Sequence, residues 1–272
     1  MRVRRVVVAL GTSDSAAMTT AVDLAHSLEA ELLGLFVEDV ELFNLAALPF
    51  AGEVGFPSAV RRTLDVGAME RSLRAQAQRL QRELSARLAG RPVKWTFEVV
   101  RGRAVTELRA AVEARDLVIV SMPRTAPGKA RARADAVRAF EGLSAPLLLT
   151  SEATRGSASM RVVASARAAP DEIADAVVTL APYYGRAVLL VLVDTHPPHL
   201  EAWQRELQSR LAAHGIDARF RVVTDPGRAV LDRLLAEERP SLVVALARDT
   251  ASRDALLEAL PCPLLVLPEQ AS

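Results

Sequence analysis

The chain has 272 residues, half of them hydrophobic and a quarter charged, with a formal net charge of +1 at pH 7. That balance excludes an intrinsically disordered chain, and the near-zero net charge argues against a general polyanion-binding face, so no nucleic-acid partner is expected. Cys262 is the only cysteine, which rules out an intramolecular disulfide or a multi-thiolate metal site; the opening apolar run is far shorter than the ~20 residues of a membrane span, so a cytoplasmic chain with no membrane partner is expected.

RVVVAL at Arg5 is a β-branched run of buried-strand length, and SAAMTTAVDLAHSLEA after it spaces Ala17, Ala21, Leu24 and Leu28 as one helix face. Ser13 and Asp14 suit the N-cap of that helix. ELLGLFV reads as a second strand. An irregular segment follows, and then Met69, Leu73, Ala77, Leu80, Leu84 and Leu88 mark a long amphipathic helix ended by Gly90. VKWTFEVV is the third strand, AVTELRAAVEA a helix, DLVIVS the fourth strand, ADAVRAFEGL a helix and PLLLT the fifth strand. The small and polar residues Ser151 to Ser159 read as a linker.

Beyond the linker the order repeats: RVVASA, helix EIADAVVTLA, strand AVLLVLV, helix LEAWQRELQSRLAA, strand ARFRVV, helix AVLDRLLAEE, strand LVVAL, helix DALLEAL and strand PLLVL. Short identities keep the same order: GRAV occurs at Gly102 and Gly227, and RELSARLA at Arg82 is answered by RELQSRLA at Arg205. The chain therefore reads as a tandem duplication, with domains at 1–150 and 160–272 joined by the linker 151–159. Continuous apolar strands alternating with helices call for a parallel sheet covered on both faces. The fold class expected is α/β, two tandem doubly wound five-stranded parallel-sheet domains. In this reading Gly102 ends the third strand and Arg-Ala-Val opens the next helix.

The five-strand order, the G-x-A-V helix opening and the closing LPCPLLVLP resemble the universal stress protein family over nearly the whole chain. The resemblance implies domains related to nucleotide-binding α/β hydrolases, paired through their fifth strands about a pseudo-twofold axis. It also implies ATP or another adenine nucleotide as a possible ligand. ATP-binding members carry an Asp at the end of strand one and G-x2-G-x9-G-S/T after strand four, where glycines let backbone N–H groups close around phosphate. This chain departs at both places. Gly11 or Thr12 stands at the Asp position, with Ala166 or Arg167 in the second half, and SMPRTAPGKARARADAV supplies only Gly128 where the motif has three glycines.

The two halves differ most after their second and fourth strands, where the second half is shorter. In open parallel sheets those loops, at the carboxyl ends of the strands, form the ligand crevice. The first half is thus the expected ligand-binding half, and the second a degenerate structural partner. The candidate site comprises Gly11, Thr12, Ser13, Val37, Ser121 and Met122 at the strand ends, with Arg124, Lys129, Arg131 and Arg133 supplying side-chain cations in place of backbone amides. The ligand expected is a small anion or an adenine nucleotide in an altered pose.

The extra segment Val40 to Val66 carries Phe43, Phe50 and Phe56, three of the seven phenylalanines. Three readings of this apolar insertion stay open: a lid over the pocket, a dimer or protein-partner contact, and a satellite core. His196 and His199 near Asp194 are separated by prolines and lack a fourth ligand, so a surface turn is the better reading and no metal is expected. Cys262, between two prolines, reads as a buried small hydrophobe. No His near Ser13 in the sequence suggests a nucleophile triad, and no H-E-x-x-H, G-K-[ST] loop or G-x-G-x-x-G motif occurs, which argues against an enzyme. A nucleotide hydrolase using Ser121 or Arg124 is the weakest of the functional classes.

Overall fold

The computed structural model describes residues 2–11, 15–46, 52–54, 61–63, 66–121, 138–150, 160–165, 168–185, 188–194, 200–224, 230, 233, 236–246 and 262–268. The apolar runs of the first half form strands β1 (Arg5–Leu10), β2 (Glu31–Asp39), β5 (Trp95–Gly102), β6 (Asp116–Ser121) and β7 (Leu147–Thr150). Those of the second half form β8 (Met160–Ser165), β9 (Val188–Asp194), β10 (Ala218–Thr224), β11 (Leu242–Leu246) and β12 (Leu264–Leu267). Among the described residues the helices are α1 (Ser15–Ser27), α2 (Val40–Ala46), α3 (Val66–Leu88), α4 (Ala104–Ala111), α5 (Pro170–Tyr184) and α6 (Leu200–Ala213). The expected linker and the helix expected at DALLEAL lie outside the described residues; of the helix expected at AVLDRLLAEE, residues 230, 233 and 236–238 are described and helical, and of the one at ADAVRAFEGL, residues 138–143 are described, with 138 and 139 helical and a turn after them.

All ten strands join one sheet in the order β10-β9-β8-β11-β12-β7-β6-β1-β2-β5. Every neighbouring pair is parallel except β7 with β12, which run antiparallel with Leu148 opposite Leu265. Two five-strand blocks of the same internal order therefore meet at their last strands. In each block the direction of winding reverses beside the first strand, between β1 and β6 and again between β8 and β11. Central strands have apolar interiors because helices cover both faces; β7, β11 and β12 are buried throughout, Thr150 at the end of β7 included. One face holds Val6, Val8, Ile119, Leu148, Val162 and Leu265 under α1, α3, α5 and α6, and the other holds Val7, Val118, Leu147, Val163 and Leu264 with Leu108 of α4.

The heptad-like spacing of α3 buries Ala77, Leu80, Leu84 and Leu88, and the helix stops before Gly90, whose φ of 78° only glycine adopts freely. The close packing of α3 on β2 depends on Gly34. A Cβ at that position would lie 2.9 Å from Leu84 Cδ2 and 3.0 Å from Phe97 Cδ2. The first copy of the recurring GRAV is placed as read: β5 ends at Gly102, Arg103 is the extended N-cap of α4, and the Glu107 side chain folds back over Gly102. The second copy lies mostly outside the described residues. The segment read as irregular contains α2 and a short antiparallel pair, β3 (Gly52–Val54) with β4 (Arg61–Thr63). Such elements are too short to show a hydrophobic period in the sequence.

Helix α5 opens with Pro170 at its first turn, and the Glu172 carboxylate accepts the Ala169 N–H at 2.9 Å. It packs against α1 across the seam between the blocks and against α6, whose Trp203 Nε1 donates to the Ala168 carbonyl at 2.6 Å. At the amino-terminal ends of the strands, Asp116 is sealed from solvent and accepts from Arg5 Nη2 at 2.6 Å and from the Glu113 N–H at 2.8 Å. That pairing, opposed in part by burial, holds the Arg5 guanidinium further into its charged range.

Candidate functional site

The carboxyl ends of β1, β2, β5, β6 and β7 lie on one side of the first block, and the reversal between β1 and β6 opens the place where doubly wound sheets bind ligands. Gly11 follows β1 and Ser121 ends β6, so these two candidates flank that point. Gln76, on α3, donates from Nε2 to the Gly11 carbonyl at 3.1 Å and ties the turn after β1 to the long helix. Val37 sits on β2 beside Val100 of β5 and packs with Leu35 and Leu108 on the α4 face. Ser121 is in register with Thr150 at the end of β7, on the opposite face, that of Ile119 and Leu148. The fold thus brings Gly11 and Ser121 to the reversal and sets Val37 one strand further out. Thr12, Ser13, Met122, Arg124, Lys129, Arg131 and Arg133 lie outside the described residues.

The rim beyond β2 and β5 is built around Arg101. Its guanidinium meets the buried Glu38 at 2.9 Å and Glu70 of α3 at 3.2 Å, and its Cζ lies 4.4 Å from the centre of the Phe43 ring. Hydrogen bonding to Glu38, against some burial, keeps Arg101 more firmly protonated than a free arginine. Arg103 pairs with Glu41 of α2 at 3.2 Å, and Asp39 accepts the Glu41 N–H at 2.9 Å. One arginine therefore fastens α2, the start of the insertion, to two strands and to α3. Phe43 is engaged by its own chain, while Phe50 and Phe56 lie outside the described residues.

Thr150 is 2% exposed, and its Oγ1 is, among the described residues, the one buried side-chain polar atom without a hydrogen-bond partner in the chain. Leaving such a group unpaired costs about 1–3 kcal/mol. The corresponding last residue of β12 is Leu267, an apolar side chain in an equally buried place.

Two surface cavities of about 680 and 490 Å³ open on the seam of α1 and α5, sharing Ser27 and Pro182. Arg2, Arg4 and Arg115 in the larger one face Glu29 and Glu31, so its walls carry both signs of charge. In the smaller one Asp23 is already bound to Arg91 at 2.6 Å. Neither cavity touches Gly11, Val37 or Ser121. Among the described residues no group of three His, Cys, Asp or Glu side chains is placed to hold a metal; His196 and His199 are not among them. Cys262 is buried in the α4-face core, as expected. No helix among the described residues is long and apolar enough to cross a membrane.

Sequence reasoning did not single out Gln76, Glu38, Arg101 or Thr150. For Glu38 a signal existed, since a carboxylate at the end of an otherwise apolar strand demands a cation; for the others only the tertiary fold supplies the partner, or withholds it.

These features define an α/β protein with a large, mostly parallel sheet wound in both directions from two first strands. No family model matches the chain, and no curated protein matches it in sequence. Solved structures match over nearly its whole length. A universal stress protein from Archaeoglobus fulgidus aligns with a TM-score of 0.70 and 11% identity, covering 97% of this chain and 96% of that one. A putative universal stress protein from Pseudomonas aeruginosa aligns at 0.58 and 16% identity, covering 98% and 93%. The cytoplasmic domain of a prokaryotic cation chloride cotransporter aligns at 0.53 and 11% identity, covering 98% and 96%. At these identities the likeness establishes the fold, and the fold is that of universal stress proteins.

Proposed function

We propose that the chain is a tandem universal stress protein, with domains at 1–150 and 160–272, and that the first domain binds a small anionic ligand, such as an adenine nucleotide, without chemical turnover. The observation that carries this reading is the convergence of Gly11 and Ser121 on the strand reversal of the first block, beside a rim fastened by Arg101. The first half supplies only Gly128 of the three motif glycines, so in this reading Arg124, Lys129, Arg131 and Arg133 hold the anion through side chains. The second domain, with shorter connections after its second and fourth strands, serves as a structural partner. A cytoplasmic location belongs to the same reading.

Calorimetric titration of the full chain with ATP, AMP and inorganic phosphate tests it, with thermal unfolding alongside. Ligand at a hundredfold excess over Kd should add about 2.7 kcal/mol of stability, with no release of phosphate from ATP. No heat and no thermal shift with any of the three refutes ligand binding by these classes; steady phosphate release refutes the non-catalytic part.

A second reading, a scaffold that binds a protein through residues 40–66, draws support from the cotransporter domain, where the same fold serves as the cytoplasmic part of a larger protein. Since Phe43 is committed to Arg101, Phe50 and Phe56 would carry such a contact.

A further inference from the structure

The hydroxyl of Thr150 has no partner within the chain, although solvent does not reach it. Its neighbourhood does not require a polar atom, because the equivalent end of β12 is closed by Leu267 with similar burial. A valine-shaped side chain would fill the same space without leaving a polar group unsatisfied. The hydroxyl also stands at the carboxyl end of its strand, in register with Ser121 and on the same face of the sheet, in the block whose connections are longer. A buried hydroxyl at the carboxyl ends of the strands, left unpaired by the protein, can take its partner from outside the chain.

We propose that Thr150 is a ligand-binding residue of the first block, whose hydroxyl donates a hydrogen bond to an anionic oxygen of the bound molecule, next to Ser121. The inference rests on the ligand-binding reading above and extends it to a specific residue. Because the hydroxyl is closed off, its engagement includes opening of the strand ends around it. A donor in such apolar surroundings gives a strong bond to a charged acceptor, since water does not compete for it.

The test compares the full-length wild type with Thr150→Val and Thr150→Ser, measuring the thermal midpoint without ligand and the affinity for ATP and for inorganic phosphate. Thr150→Val is expected to be at least as stable as the wild type while binding ATP about tenfold more weakly, equivalent to ~1.4 kcal/mol. Thr150→Ser, which keeps the hydroxyl, should bind within about twofold of the wild type. Wild-type affinity in Thr150→Val overturns the inference and leaves the ligand-binding reading intact. A lowered thermal midpoint in Thr150→Val that Thr150→Ser does not share shows that the hydroxyl serves the fold, through a buried water for example, and also overturns it. Failure of the wild type itself to bind either probe removes the ligand-binding reading and this inference together.

Discussion

Tyr183 and Tyr184 are the only tyrosines in the chain, and both end α5 at the seam with α1, so their ionisation reports on that seam alone. Tyr184 is 1% exposed, and burial, helped by Tyr183 and Cys262, holds its hydroxyl proton far above the ordinary value of 10.0. Tyr183 is raised mainly by partial burial, opposed by its bond with Thr20 and reinforced by Asp23. Below pH 10 both states keep the Tyr184 proton and its contribution to stability is complete. Above pH 10 only the unfolded chain releases that proton, so folding loses ~1.4 kcal/mol for each further pH unit until the folded value is reached. From pH 10 to 12 Tyr184 alone removes about 3 kcal/mol, a large part of the 5–15 kcal/mol that holds a typical domain together. An alkaline titration followed by tyrosinate absorbance and by helical circular dichroism should show the Tyr184 fraction of the absorbance rising together with loss of helix. Tyr184→Phe should move the unfolding transition to higher pH. Ionisation of both tyrosines near pH 10 with the helical signal intact would refute the packing described for α5.

Two further substitutions probe the frame around the site. Gly34→Ala places a methyl group against Leu84 and Phe97 and should lower stability by about 1–3 kcal/mol in urea denaturation; a neutral result would mean that α3 rides further from β2 than described. Asp116→Ala removes the acceptor of Arg5, whose side chain is only 18% exposed, and should cost about 3 kcal/mol, yet ligand affinity should stay unchanged because this pair lies at the opposite ends of the strands from Gly11 and Ser121. An affinity loss in that variant would contradict the placement of the site.

The strand runs were legible because a parallel sheet covered on both faces buries the strand interiors, leaving runs such as LVIV and LVVAL without polar interruption. Helix α3 was legible from its period, and Gly90 from the left-handed turn it must make. The antiparallel junction of β7 and β12 came from family resemblance, since nothing in PLLLT or PLLVL specifies which edge it meets. Helix α2 and the β3–β4 pair stayed hidden because seven and three residues carry no usable period. The candidate site was legible only as far as the strand ends: the places of Gly11 and Ser121 follow from counting strands, whereas the bonds from Gln76 to Gly11 and from Arg101 to Glu38 join residues more than sixty positions apart.

That last bond bears on the role of the insertion. Aligned on the shared F-x-V-V of β5 and β10, Arg101 corresponds to Thr224, and Glu38 corresponds to Asp194 at the end of β9. Both blocks thus end their second strand with a carboxylate, but only the first supplies the arginine that joins this carboxylate to α3 and to Phe43. The arginine occurs in the block that has the insertion, and it holds the first helix of that insertion against the sheet. Helix α2 is thus held at its root by an ion pair with a buried partner. This arrangement favours reading the start of the insertion as part of the first block over a free arm for capturing partners, because Phe43, the first of its three phenylalanines, already packs against Arg101.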